Sequence, residues 1–299
     1  MKLEFQMEDD EADAEKAVNA YNTLKDNGMK VFIGTVTTGA CLSVVSQTKA
    51  DNMFQITPSA SAAKVIANDN CFQVCFTDPN QGTASADYIA SKGLATKVAV
   101  IYNSSDAYSS GIYDNFKAEA AAKGLDLVAS EAFTGDSKQD FSSQLSKIKA
   151  SGAELIFLPI YYQEASLILS QAKNAGITAK FFGCDGLDGL LNIENFDKSL
   201  AENVMLLTPF AANATDETTK KFVAAYNAKY DPSTLNQFAA DAYDAVYIVK
   251  AAAEKAGVTG DMSVSDICNA LKGAMTEITV DGVTGSGMTW KATGEVNKE

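Results

Sequence analysis

The stretch Lys97-Val98-Ala99-Val100-Ile101-Tyr102 reads as a short apolar strand, and Asp106-Ala107-Tyr108 then leads into a helical pattern over 110–123 that Gly124 ends. The same strand-then-helix unit recurs on its C-terminal side as strand 127–133, helix 141–150, strand 155–158, helix 164–174 and strand 180–183. A matching series precedes it: an alternating segment 2–8 with the look of a half-exposed strand, helix 13–27, strand 31–33, helix 40–51, strand 53–56, a short helix 62–67 and strand 72–76. Gly93, Gly124, Gly152 and Gly176 fall between a helix and the next strand, where a left-handed terminating residue is expected. Alternation of this kind predicts parallel βαβ units, hence an α/β protein.

The pattern changes after Val204-Met205-Leu206-Leu207-Thr208-Pro209-Phe210, an apolar strand ending at a proline. Helices 217–230 and 237–256 follow with no parallel strand between them, so the chain is expected to return to the first domain. Polar crossings near 76–78 and 208–210 would then be hinge strands. The expected architecture is two doubly wound parallel-sheet lobes joined by a hinge. Lobe I would comprise 1–77 and 210–280, and lobe II 78–209 and 281–299.

Composition bounds the function. The 299 residues suffice for two domains with separate cores. Apolar residues make up 46%, mean hydropathy is −0.06, and no apolar run approaches the roughly 18 residues a membrane helix needs. A net charge of −14 and a pI near 4.5 leave no basic stripe for nucleic acid. Histidine is absent, which removes Ser-His-Asp and Cys-His nucleophiles and His-ligated zinc. The five cysteines, Cys41, Cys71, Cys75, Cys184 and Cys268, are scattered and read as small buried hydrophobes. No dinucleotide or P-loop glycine motif is present, and Asp185-Gly186-Leu187-Asp188-Gly189 lacks the ligand alternation of a calcium loop. No metal, cofactor or enzymatic activity is expected.

What remains is a set of polar loops directly after strands. They are Thr37-Thr38-Gly39, Thr57-Pro58-Ser59-Ala60-Ser61, Asp106-Ala107-Tyr108, Tyr161-Tyr162 and Asp185. Ligands of open α/β sheets sit outside the carboxyl ends of the strands. Hydroxyls, backbone N–H groups, aromatic walls and one acid suit a small zwitterion. Any single Ser or Thr here could equally be a helix N-cap, and Tyr162 reads as packing. Two hydroxyl clusters in one half, with an acid and tyrosines in the other, favour binding.

The order and spacing of several segments resemble the type I periplasmic binding proteins, in particular the Leu/Ile/Val-binding components of ABC importers. The segments are Glu8-Asp9-Asp10-Glu11-Ala12-Asp13, Ala17-Val18-Asn19-Ala20-Tyr21, Ile33-Gly34-Thr35-Val36-Thr37-Thr38-Gly39, Ile56-Thr57-Pro58-Ser59-Ala60-Ser61-Ala62, Asp140-Phe141, Gly183-Cys184-Asp185-Gly186 and Tyr243-Asp244-Ala245. The resemblance implies that Thr38 and the Ser59-Ala60-Ser61 loop hold a ligand α-carboxylate and part of its ammonium. It implies that Asp185, where the family often has Glu, pairs with the ammonium. Tyr108 and Tyr161 would close over the ligand from lobe II, and Phe238 would form an apolar wall from lobe I. It further implies an extracytoplasmic protein, periplasmic or lipid-anchored, that takes a small amino acid into an interlobe cleft by hinge closure and delivers it to a membrane permease. An amide, urea or aromatic-acid receptor on the same fold, or an α/β hydrolase or transferase, stands as the alternative.

The family's pattern also has a strand and helix before 2–8 and a last strand after Met288-Thr289-Trp290, with that first strand between 2–8 and 31–33. Val31-Phe32-Ile33 is continuously apolar, as in a strand covered on both faces, and so expects a neighbour. Without one, its edge should invite pairing with other chains.

Overall fold

The computed structural model describes residues 2–298. They form two compact units, one of 2–77, 209–225 and 237–298, the other of 78–208 and 226–236.

In the first unit α1 (Ala14–Asp26) begins at Asp13, whose carboxylate accepts the N–H groups of Glu15 and Lys16. Its apolar face buries Ala17, Tyr21 and Leu24. There follow β1 (Phe32–Ile33), α2 (Thr38–Ala50), β2 (Gln55–Thr57) and β3 (Cys71–Gln73). The three strands form a parallel sheet in the order β1-β2-β3. Ile56 and Phe72 of this sheet, with Phe54 just before β2, pack into one core with Ile248, Leu271 and Trp290 from the C-terminal part of the chain.

The segment 2–8 forms no strand, contrary to the sequence reading. Alternation fixes which side chains share a face, but a strand also needs a ladder partner. Lys2, Leu3, Glu4, Phe5 and Gln6 instead line one side of a cavity of about 520 Å³ whose other walls include Val31, Phe32, Ile33, Val249 and Leu271. Phe5 and Met7 are 62% and 90% exposed. β1 is accordingly an edge strand of this sheet.

The second unit contains α3 (Asp78–Ser91), β4 (Lys97–Asn103), α4 (Ala107–Ala122), β5 (Asp126–Phe133), α5 (Ser142–Ser151), β6 (Leu155–Leu158), α6 (Tyr162–Asn174), β7 (Lys180–Gly183) and β8 (Val204–Leu206). All pairings are parallel, in the order β5-β4-β6-β7-β8. Successive side chains of a strand face opposite ways. Val98 and Val100 therefore join one core with Ile112, Phe116, Leu155 and Phe157. Ala99 and Ile101 join another with Phe141, Leu145, Ile156 and Leu158. Apolar layers on both faces explain why β4 and β6 read as unbroken hydrophobic runs.

The chain then adds α7 (Glu217–Asn227), α8 (Gln237–Ala256), α9 (Val264–Met275), β9 (Thr289–Trp290) and the antiparallel β10 (Val296–Asn297). Of residues 281–299, expected in lobe II, the described ones, 281–298, belong to the first unit. The reasons are specific bonds: Asp244 of α8 accepts the N–H groups of Val283 and Thr284, and the Trp290 indole donates to the Gln73 carbonyl at 2.8 Å. Gln73 N–H in turn donates to the Gly294 carbonyl at 3.0 Å. Gly294 has φ +85°, and a Cβ there would lie 2.0 Å from the Cys71 carbonyl oxygen, so only glycine lets the backbones approach. Residues 226–236, expected in lobe I, belong to the second unit. They form a tight turn in which Tyr226 and Thr234 share a hydroxyl bond of 2.9 Å and Asp231 accepts the Ser233 N–H.

Candidate functional site

The first unit places its hydroxyls at the carboxyl ends of β1 and β2. Thr37 occupies the N-cap position of α2 but makes no capping bond, so the ordinary role of such a residue is not the one used here. Thr38 is 1% exposed, and its Oγ1 accepts the N–H groups of Ser61 at 3.2 Å and Ala62 at 3.4 Å. Thr57 Oγ1 donates to the Thr35 carbonyl at 2.7 Å and accepts the Ala60 N–H at 2.9 Å. Gln73 Nε2 donates to the Ala60 carbonyl at 2.9 Å. The Ser59-Ala60-Ser61 loop is thus braced at every turn. Ser61 Oγ is wholly buried and has no partner among the described residues. A buried, unpaired hydroxyl is costly unless something bonds to it.

Replacing Thr38 by Val removes the acceptor while keeping the shape. Two buried N–H groups lose their partner, at about 1–3 kcal/mol for each group left unsatisfied. The expected result is a clearly lower melting temperature than Ser61→Ala produces, measured by calorimetry; equal melting temperatures would mean that the loop is held by other means.

In the second unit the sheet order steps from β4 outward to β5 and then back across to β6. The reversal falls at the carboxyl ends of β4 and β6, the position where open α/β sheets bind ligands. Tyr108 follows β4, Tyr161 follows β6, and Asp185 follows β7. Asp106 caps α4 by accepting the Ser109 N–H at 3.1 Å, which fixes the helix start and with it Tyr108. The Tyr108 and Tyr161 rings stack with centroids 4.7 Å apart at 18°.

Asp185 is 3% exposed. The Tyr108 hydroxyl donates to Asp185 Oδ1 at 2.6 Å and accepts the Gly186 N–H at 2.9 Å. The shorter distance is that of a phenol bonded to an ionised carboxylate. Asp185 N–H donates to Gln81 Oε1 of α3 at 3.3 Å. Burial pushes the Asp185 carboxyl up to about 6, held back by the bonds from Tyr108, Gln81 and Gly186. Burial first, and then the neighbouring Asp185 charge, hold the Tyr108 phenol well above its ordinary value. A Cβ at Gly186 would lie 2.6 Å from the Tyr108 hydroxyl and 2.7 Å from the Ile160 carbonyl, so glycine is required for this arrangement.

The expected site residues therefore form two groups, Thr38, Ser59, Ala60 and Ser61 in one unit and Tyr108, Tyr161 and Asp185 in the other. Phe238 lies half-buried in the first turn of α8. Sequence reasoning missed Gln81 against Asp185, and also the buried Gln237 and Asp241 of α8, four residues apart on one helix face. Polar residues at helical spacing, Gln237, Asp241 and Asp244, among the apolar positions of one face were the available signal. No group of acids and cysteines able to hold a metal occurs among the described residues, and their five cysteines are all buried and outside any disulfide.

The sequence profile described as "Periplasmic binding protein" matches residues 1–299. This chain belongs to the periplasmic binding protein family. The Leu/Ile/Val-binding protein homolog 3 of Brucella melitensis is 32% identical over 263 residues, which is 87% of this chain and 70% of that protein. Among solved structures, the branched-chain amino acid transporter substrate-binding protein LivJ of Streptococcus pneumoniae, in complex with isoleucine, is 27% identical. It superposes with a TM-score of 0.85, covering 97% of this chain and 80% of that one. The ABC-transporter solute-binding protein RPA0668 of R. palustris, in complex with benzoate, has a TM-score of 0.82 at 20% identity. It covers 97% of this chain and 79% of that one, a likeness of fold alone. The family match makes this chain a binding protein.

Proposed function

We propose that this chain captures a small amino acid with an apolar, branched-chain-like side chain and presents it to the permease of an ABC importer. The ligand would be shared between the Thr38 and Ser59-Ala60-Ser61 cradle of one unit and Asp185 of the other, so that binding closes a hinge. The observation that carries the reading is the buried acid at the carboxyl end of β7, with a phenol proton and a backbone N–H arranged around it. A buried carboxylate of this kind favours a cationic group beside it and disfavours an anion. An α-ammonium meets that requirement. An aromatic acid such as benzoate brings only negative charge, which ranks it second on this fold.

Thr38, with no acceptor for its own proton among the described residues, and the unpaired Ser61 hydroxyl are suited to the α-carboxylate. The test is a thermal-shift screen of the twenty amino acids, benzoate, 4-hydroxybenzoate and urea. A ligand at one hundred times its Kd adds about 2.7 kcal/mol of stability. Leucine, isoleucine or valine should raise the melting temperature most. Stabilisation by an aromatic acid or urea alone would overturn the reading.

A further inference from the structure

Tyr108 is placed differently from an aromatic that covers a ligand. It is 2% exposed, one face of its ring is taken by Tyr161, and it packs in the core of its own unit with Ile112, Phe116 and Phe182. A phenol has one proton to give. That proton is committed to Asp185 Oδ1, and the oxygen already accepts the Gly186 N–H. Tyr108 therefore has no proton for a ligand carboxylate unless it releases Asp185. Gln81, itself wholly buried, holds the Asp185 backbone from the opposite helix.

We propose that Tyr108 is a positioning residue that acts through Asp185, its hydroxyl holding the carboxylate ionised and in one orientation so that a cation can be accepted at neutral pH. This rests on the reading of Asp185 as the partner of the ligand ammonium. The surroundings make such a device necessary. Around Asp185 stand Tyr108 from α4, itself stacked on Tyr161, Gln81 from α3, the Cys184 thiol before it and Asp188 on its own turn, with Asp78 of α3 acting on Cys184. None of these carries positive charge. The bonds from Tyr108, Gln81 and Gly186 oppose the burial that would keep the acid protonated. Ionisation of Asp185 then sets the pH below which an amino acid must displace a proton to bind.

The experiment compares wild type, Tyr108→Phe and Asp185→Asn, first without ligand and then by titration with L-isoleucine, from pH 4 to pH 8. Phenylalanine keeps the ring and its stack on Tyr161, and melting curves confirm that each variant folds. Without ligand, the stability of wild type relative to Asp185→Asn should fall as pH rises toward about 6 and then level off. In Tyr108→Phe the levelling should move up by about one pH unit or more, because a hydrogen bond to a charged group is gone. With isoleucine, a shift of about one unit should make Tyr108→Phe bind roughly twofold more weakly at pH 7 and roughly tenfold more weakly at pH 5, and the loss should vanish by pH 8.

A Tyr108→Phe profile that superposes on wild type in the ligand-free series overturns the proposal, whatever the ligand. A shifted ligand-free profile with isoleucine binding unchanged in Asp185→Asn instead upholds the Tyr108–Asp185 coupling and removes Asp185 from the ligand site.

Discussion

Asp185→Asn should weaken amino-acid binding by about 2–5 kcal/mol, the usual cost of truncating one partner of a buried charge pair, while raising the stability of the ligand-free protein. The two effects have one cause. The folded chain holds the Asp185 carboxyl at about 6 against an ordinary 3.8. Between those values the folded state keeps a proton that the unfolded state has already lost. Stability therefore falls as pH rises through that window and stays lower above it. A shift of about two units corresponds to roughly 3 kcal/mol, which the neutral amide does not forfeit. Asparagine keeps an oxygen for the Tyr108 hydroxyl, so the local geometry survives. A binding site that stores a desolvated charge for its ligand is less stable empty than a mutant that cannot bind. Calorimetric melting at pH 7 together with titration of isoleucine reads both quantities. A variant that binds as wild type does, or that melts lower than wild type, contradicts the account.

The sequence carried most of this fold because the period of its apolar residues was unambiguous where two layers cover a strand. Val98 to Ile101 and Leu155 to Leu158 lie in two cores at once, and no amphipathic helix produces such a run. It was misleading at the N-terminus. Leu3, Phe5 and Met7 alternate with polar residues as a strand does, yet the segment pairs with nothing, because pairing is a property of a neighbour and leaves no mark in the strand itself. Residues 281–298 were assigned to the wrong unit for a related reason: the buried Asp244 of α8 and the Trp290 and Gly294 bonds to Gln73 tie them to the first unit, and nothing in the local pattern announces these partners.

At the candidate site, the residue types after each strand were legible, Asp185 among them. The resemblance also pointed to Tyr108, but as a cover over the ligand. Its bond to Asp185 spans 77 positions, a relation that spacing cannot express. Gln81 was invisible because a glutamine in a helix's first turn is ordinarily solvated. Only the fold shows it buried against a backbone N–H. Thr38 was weighed as a helix cap; its loop-bracing role appears only once β1 and β2 are seen side by side.

Asp244 is also where the first unit is most vulnerable. It is 1% exposed. Its Oδ1 accepts the Val283 N–H at 2.9 Å, and its Oδ2 accepts both the N–H and the hydroxyl of Thr284, at 2.8 and 2.7 Å. A Cβ on Gly282 would come within 2.4 Å of the same carboxylate, so the loop wraps it without spare room. Asp244→Ala deletes the acceptor and leaves three donors facing a void. At about 1–3 kcal/mol for each buried donor left without a partner, the loss should reach about 3–5 kcal/mol, a large part of the 5–15 kcal/mol typical of a folded domain. Asp244→Asn should recover little, since its amide nitrogen would present a donor to donors. The segment that Asp244 anchors runs on into β9, whose Trp290 bonds the carbonyl of Gln73 in β3, and Gln73 itself braces the Ala60 carbonyl. Loosening α8 from 283–284 should therefore reach the Ser59-Ala60-Ser61 cradle, and isoleucine affinity should fall along with stability. Urea midpoints for wild type, Asp244→Ala and Asp244→Asn measure the first effect, and titration of the folded fraction measures the second. A midpoint within 1 M urea of wild type for Asp244→Ala, which is about 1–3 kcal/mol, would mean that the C-terminal segment is held chiefly by its apolar contacts.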